Sequence, residues 1–183
     1  MNMTIQTKFD HVWSENRALQ NTAFHALLEE TKGVVDWAYE VWDTVIENLS
    51  HKDTHNRAIA AQILCNLAKS DPEQRILQDF EAMLNVTKDK RFVTARHCLQ
   101  SLWKIGLVGE KQLECLINGL ETRFHECIAE KNCTLIRYDI LFSMRKLFDV
   151  NQNELIKAKA LELIETEQDI KYRKKYATAW KFK

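Results

Sequence analysis

Apolar residues recur at helical spacing along nearly the whole chain, in two alternating classes of segment. Counting from Arg57, the positions three, six, seven and ten residues onward are Ala60, Ile63, Leu64 and Leu67. From Arg137 the same offsets give Ile140, Ser143, Met144 and Leu147, with Ser143 as the polar interruption. Arg17, Arg96 and Arg173 head similar runs, so one register recurs at intervals of about 40 residues, in the range of repeat architectures. Between these runs lie helices with stripes of their own, Trp42, Val45, Ile46 and Leu49 in one and Leu113, Leu116, Ile117, Leu120 and Phe124 in another. Val34, Trp37 and Val41 add a second stripe to the former, as expected of a helix with a neighbour on either side.

Helix punctuation divides the pattern into ten segments. The first of each pair (A) spans 3–13, 34–50, 71–87, 110–129 and 152–166, and the second (B) spans 15–31, 54–69, 91–105, 133–148 and 169–181. Asp71-Pro72-Glu73-Gln74 predicts a capping carboxylate, a proline at the first helical position and a capping box. Asn151-Gln152-Asn153-Glu154 repeats that logic. Gly33 and Gly106 are expected to end helices in the left-handed conformation.

Composition agrees with helices. One proline and four glycines are too few for the turns of an all-β domain of 183 residues. No apolar stretch is long enough to span a bilayer, and the N-terminus lacks the basic-then-apolar pattern of a secretory signal, so a cytoplasmic protein is expected. Five scattered cysteines without a CxxC spacing read as small apolar residues in a reducing compartment.

The B segments HNRAIAAQILCNLAKS (55–70), FVTARHCLQSLWKIG (92–106) and TLIRYDILFSMRKLF (134–148) resemble the HEAT-repeat family. Weaker copies are 15–30 and 171–182. The resemblance implies one domain over 1–183, an all-α, right-handed superhelix of about five hairpins (3–31, 34–69, 71–105, 110–148 and 152–181). It also implies an aspartate at each A–B turn. Asp53, Asp89 and Asp169 match, Asn132 stands near that place in the fourth repeat, and Ser14 and Glu15 in the first. The arginines Arg17, Arg57, Arg96, Arg137 and Arg173 then form a structural ladder bonding neighbouring repeats, and the B helices line a concave groove.

Offsets one, five and eight from each arginine point away from the apolar stripe. They give Ala18, Ala58, His97, Tyr138 and Lys174, then Thr22, Gln62, Ser101, Phe142 and Thr178, then His25, Cys65, Lys104, Arg145 and Lys181. The expected groove thus runs from small and neutral to basic and aromatic. Its candidate partner-binding residues are His97, Ser101, Lys104, Tyr138, Phe142, Arg145, Lys174 and Lys181. The chain is neutral, with 26 basic and 26 acidic residues, yet the basic ones concentrate on B segments and the acidic ones on A segments. Cations in the last turns of B helices also complement the helix dipole.

Catalytic chemistry is not legible. His51 and His55 flank Asp53 at a turn with no third ligand, and His125, Glu126 and Cys127 are adjacent only in sequence, so no metal or cofactor is expected. No phosphate loop, G-x-S-x-G or H-E-x-x-H occurs. The leading expectation is a non-enzymatic scaffold binding an acidic or extended protein segment. A nucleic-acid binder akin to HEAT-like alkylated-base DNA glycosylases would use Lys104, Arg145, Lys146, Lys174, Lys175 and Lys181, but the paired tryptophans and aspartate of such enzymes are missing. A HEAT-like chromophore lyase has only Cys65 and an aromatic pair in its favour. Near the C-terminus, Trp180 and Phe182 are expected to fold onto repeat four, giving a monomer; the alternative is a dimer through an apolar end.

Overall fold

A computed structural model of the chain describes residues 4–181. Ten α-helices follow one another, with no strand among the described residues. They are α1 (Ile5–Val12), α2 (Arg17–Glu30), α3 (Ala38–Asn48), α4 (Thr54–Leu67), α5 (Arg75–Val86), α6 (Phe92–Leu99), α7 (Glu110–Glu126), α8 (Cys133–Asn151), α9 (Glu154–Glu165) and α10 (Ile170–Ala179). Each odd-numbered helix packs on the even-numbered helix after it. The even-numbered helices also pack in series, α2 on α4, α4 on α6, α6 on α8 and α8 on α10. The result is an all-α superhelical array of five helix pairs with one continuous core.

The apolar register does this work. Ala60, Ile63, Leu64, Leu67, Ile140, Met144 and Leu147 are completely buried. Burial of each aliphatic side chain of leucine size contributes roughly 1.5–3 kcal/mol. Ser143 is buried with them and its hydroxyl finds no hydrogen-bond partner.

Several local expectations need correction. Residues 91–105 do not form one helix: α6 stops at Leu99 and a 3-10 turn over Leu102–Leu107 follows. Three-residue hydrogen bonding turns side chains by a different angle per residue, so the helical offsets lose their meaning beyond Ser101. Pro72 does not open α5, which starts at Arg75 after Gln74 in a left-handed conformation (φ 58°). The Asp71 carboxylate still serves the helix, accepting from the Arg75 and Ile76 amides at 2.9 and 2.8 Å. At 151–154, Asn153 is the cap and Gln152 takes the left-handed turn (φ 52°).

No described glycine occupies that region. Gly106 is needed for space instead, since a Cβ there would lie 2.8 Å from Leu147 Cδ2 and 2.9 Å from Leu116 Cδ2. Val34 is exposed because α3 begins only at Ala38, the preceding loop being held by a 2.9 Å bond from the Val35 amide to Ser70 Oγ. In the first A–B turn, Asn16 caps α2 by accepting from the Ala18 and Leu19 amides.

Candidate binding face on the B helices

The arginine register sits at the seams between pairs. Arg17 on α2 reaches Asp53 of the second turn at 2.6 Å. Arg57 on α4 forms a forked pair with Asp89 of the third turn, its Nη2 3.0 Å from Asp89 Oδ1. Arg137 on α8 donates to Glu167 at 3.0 Å and to the Phe124 carbonyl. Glu167, not Asp169, accepts this arginine; Asp169 is occupied in capping α10 through the Lys171 and Tyr172 amides. Arg173 lies 4.0 Å from Glu165, its own repeat's residue.

The third seam is built differently. Its turn carries Asn132, which caps nothing through its side chain. Arg96 lies instead 3.4 Å from the fully buried Asp139 of α8, without forming a hydrogen bond to Oδ2. Gln100 donates to the other oxygen at 2.9 Å. Burial raises the Asp139 carboxyl, opposed by Gln100 and by the charge of Arg96. Arg123, buried on α7, closes the same seam by donating to the Thr87 carbonyl and hydroxyl and to both Glu130 oxygens.

Five contacts define the B face of the later repeats. The rings of Tyr138 and Phe142 stack, 6.4 Å apart and 13° from parallel. Lys146 stands 4.9 Å from the Phe142 ring centre and 5.8 Å from that of Trp103. Lys175 stands 4.9 Å from Tyr138 and 5.9 Å from Tyr172. The aromatic pair is therefore flanked by two ammonium groups, each held by ring faces. Behind it Tyr176 is fully buried, its hydroxyl donating to the Thr134 carbonyl.

The candidate residues do not all join this face. Tyr138 and Phe142 do, and His97, Lys174 and Lys181 are exposed. Ser101 is buried, its hydroxyl donating to the His97 carbonyl. Lys104 is half-buried and donates to Asn66 at 2.6 Å; burial lowers its pKa, with Lys146 and Lys69 adding to the effect. Arg145 is spent on structure, pairing with Asp149 at 2.6 Å and reaching the Ala179 and Lys181 carbonyls at 3.4 Å. Ala58 and Cys65, also expected to face the groove, are buried.

The sequence pattern places Lys146 and Lys175 along a phosphate backbone and does not bring them over aromatic rings. The spacing of Phe142 and Lys146 by four, and of Tyr172 and Lys175 by three, is the signal that brings each lysine over a ring. Trp180 does fold onto α8, 4% exposed, with Nε1 donating to the Leu141 carbonyl and its ring beside Phe148. Phe182 lies outside the described residues.

Elsewhere the structure offers little chemistry. His51 Nδ1 accepts from the Asp53 amide, which occupies it locally. No group of three metal-ligating side chains exists among the described residues. Two hollows, of about 670 and 460 Å³, lie at the starts of α3, α5 and α7 and between α7 and α9, away from the aromatic pair. No helix among the described residues is long and apolar enough to cross a membrane.

No protein-family model matches the chain, and no curated protein matches it. Among solved structures it is similar to the crystal structure of an engineered protein from the Northeast Structural Genomics Consortium. That likeness has 19% identity and a TM-score of 0.55, and covers 97% of this chain and 80% of the other. At that identity it supports the fold alone.

Proposed function

We propose that the B face of repeats three to five is a docking surface for an acidic, extended polypeptide, and that the chain acts as a non-enzymatic scaffold. The observation that carries this is the stacked Tyr138–Phe142 pair between Lys146 and Lys175. Such a surface offers flat apolar area and positive charge together. Carboxylates can pair with the lysines while the partner's apolar side chains cover the rings. Exposed His97 and Lys174 extend the surface. An array with five free cysteines fits the reducing cytoplasm.

One feature favours a second reading. Lysines interleaved with aromatic rings are also what a single-stranded nucleic acid uses, bases stacking on rings while cations follow phosphates. Fluorescence anisotropy with a labelled Asp/Glu-rich peptide, single-stranded DNA and RNA, and duplex DNA at several salt concentrations separates the two. The docking proposal expects saturable peptide binding that falls at least tenfold in Tyr138→Ala/Phe142→Ala and in Lys146→Glu/Lys175→Glu. Nucleic-acid binding with a steep salt slope and no peptide binding transfers the face to the second reading. Binding of neither, or binding unchanged by both double variants, removes this face as the working surface.

A further inference from the structure

The A–B turn of repeat four brings together two cysteines that are six residues apart in sequence. Cys127 Sγ and Cys133 Sγ lie 3.2 Å apart, one at the end of the α7 rod and the other at the first residue of α8. Cys98 instead donates to the Met83 carbonyl, and Cys65 is sealed in the core. A disulfide bond is about 2.05 Å long, so closing the pair requires about 1.2 Å of approach, within reach of side-chain rotation.

Cys133 is half-buried, whereas Cys127 is fully covered and its thiol donates to the Phe124 carbonyl. The intervening turn is open to solvent, Ile128 being 75% exposed. Asn132, standing in the aspartate's place in this turn, makes no side-chain cap.

We propose that Cys127 and Cys133 are a reversible dithiol–disulfide couple, oxidised by exchange with a small-molecule disulfide such as glutathione disulfide. Cys133 loses its proton to solvent and its thiolate attacks one sulfur of the small disulfide. The S–S bond breaks, and the leaving sulfur keeps the electron pair and takes up a proton. Cys133 is now a mixed disulfide. Cys127 then loses its proton, attacks Cys133 Sγ, and expels the second small thiol, which is protonated in turn. Two protein thiols are oxidised by two electrons, and one small disulfide is reduced to two thiols.

The two roles are set by access. Cys133 is the entry thiol because the reagent can reach it, and Cys127 resolves because it is covered and lies against Cys133. Burial, together with the Cys133 thiol beside it, pushes the Cys127 thiol up to about 12 in the reduced pair. Burial remains once Cys133 is a mixed disulfide, so the resolving step gains thiolate as pH rises. Its rate should climb by about tenfold per pH unit between neutral and mildly alkaline solution. This couple does not depend on what binds the B face.

The test uses the full chain equilibrated in glutathione buffers from fully reduced to mostly oxidised, then acid-quenched, unfolded, alkylated and digested with trypsin. Cleavage after Arg123, Lys131 and Arg137 puts Cys127 in peptide 124–131 and Cys133 in peptide 132–137, so the disulfide appears as two linked peptides. Oxidation is expected to yield that linked pair in at least tenfold excess over Cys133 glutathione adduct, and reduction to abolish it. Cys127→Ser is expected to trap the adduct on Cys133. Three outcomes overturn the proposal: no linked peptide in the most oxidising buffer, a wild-type Cys133 adduct with Cys127 still alkylated, or linkage to Cys65, Cys98 or Cys115.

Discussion

The first and fourth arginine junctions use the same residue at the same register position, yet they are different objects. Arg17 and Asp53 meet with side chains 51% and 28% exposed, whereas Arg137 and Glu167 are 9% and 6% exposed. An exposed pair gains little because water and salt screen it and two long side chains must be held still. A buried pair has already given up its hydration, so each partner depends on the other. The repeat in the sequence is therefore a repeat of geometry, and burial decides how much stability each copy carries. The terminal pair at Arg17 lies where few neighbours exclude water. Arg137 is enclosed by α7, α8 and the turn before α10, with its guanidinium 4.6 Å from the Phe124 ring.

Arg137→Ala should therefore be the most damaging change in the register. It takes the cation away from the buried Glu167 carboxylate, which keeps only the Asp169 amide, and one donor from the Phe124 carbonyl, and a broken buried pair costs about 3–5 kcal/mol. Arg137→Lys should recover little of this, because a single ammonium cannot serve two acceptors set by a planar fork. Urea unfolding measures both, and a loss under 1 kcal/mol for Arg137→Ala would dissolve the contrast between the junctions.

Arg57 lies between these extremes. Its partner Asp89 has a side chain 5% exposed, but the Arg57 side chain is 19% exposed and also donates to the His51 and Lys52 carbonyls. Hydrogen bonds to charged groups contribute about 1.5–3 kcal/mol, so Arg57→Ala should cost roughly 2 kcal/mol by the same urea measurement. A value above that of Arg137→Ala would mean that burial is not what orders the series.

The third seam sharpens the comparison by reversing a sign. Asp139 has its folded pKa raised, chiefly by burial, above the usual 3.8. Its charge is thus a burden at neutral pH, relieved as pH falls through the folded value towards 3.8. The stability of Asp139→Asn relative to the parent should be most favourable at neutral pH and decline as the solution is acidified. Thermal melts of the two chains from pH 7 to pH 4 check this, and a difference that grows on acidification contradicts it.

How much of this was legible depended on what each residue had to satisfy. The all-α class, the ten segments and the register showed because burial imposes a period that composition cannot hide. Lys104 and Arg145 were misjudged because a helical offset gives a direction from the axis and says nothing about acceptors across the seam. Asn66 and the α10 carbonyls capture those cations, and both lie on other helices. Ser101 was lost to the 3-10 turn, and Glu167 was hidden by the more regular Asp169 beside it. The Cys127–Cys133 contact depends on how a turn folds back, which their sequence spacing does not encode.

The smallest expected effect closes the series at Arg17. Burial pushes the Asp53 carboxyl up, but the His55 amide, the Arg17 guanidinium and the His55 ring outweigh it and bring the value down to about 2. Because the folded value lies below 3.8, Asp53 contributes stability that is complete above pH 3.8 and is lost as pH falls through about 2. Arg17 supplies only part of that, since Asp53 keeps capping α4 through the His55 amide without it. Arg17→Ala should cost less than about 1 kcal/mol, and less again in high salt, as an exposed pair requires. Asp53→Ala should cost about 1 kcal/mol more than Arg17→Ala, because it also removes the cap. Urea midpoints at low and high salt, repeated at pH 7 and pH 2.5, read both variants. The Arg17→Ala loss should shrink in acid, because the charge it pairs with is then disappearing. A loss that persists unchanged in high salt would place the first junction with the buried ones.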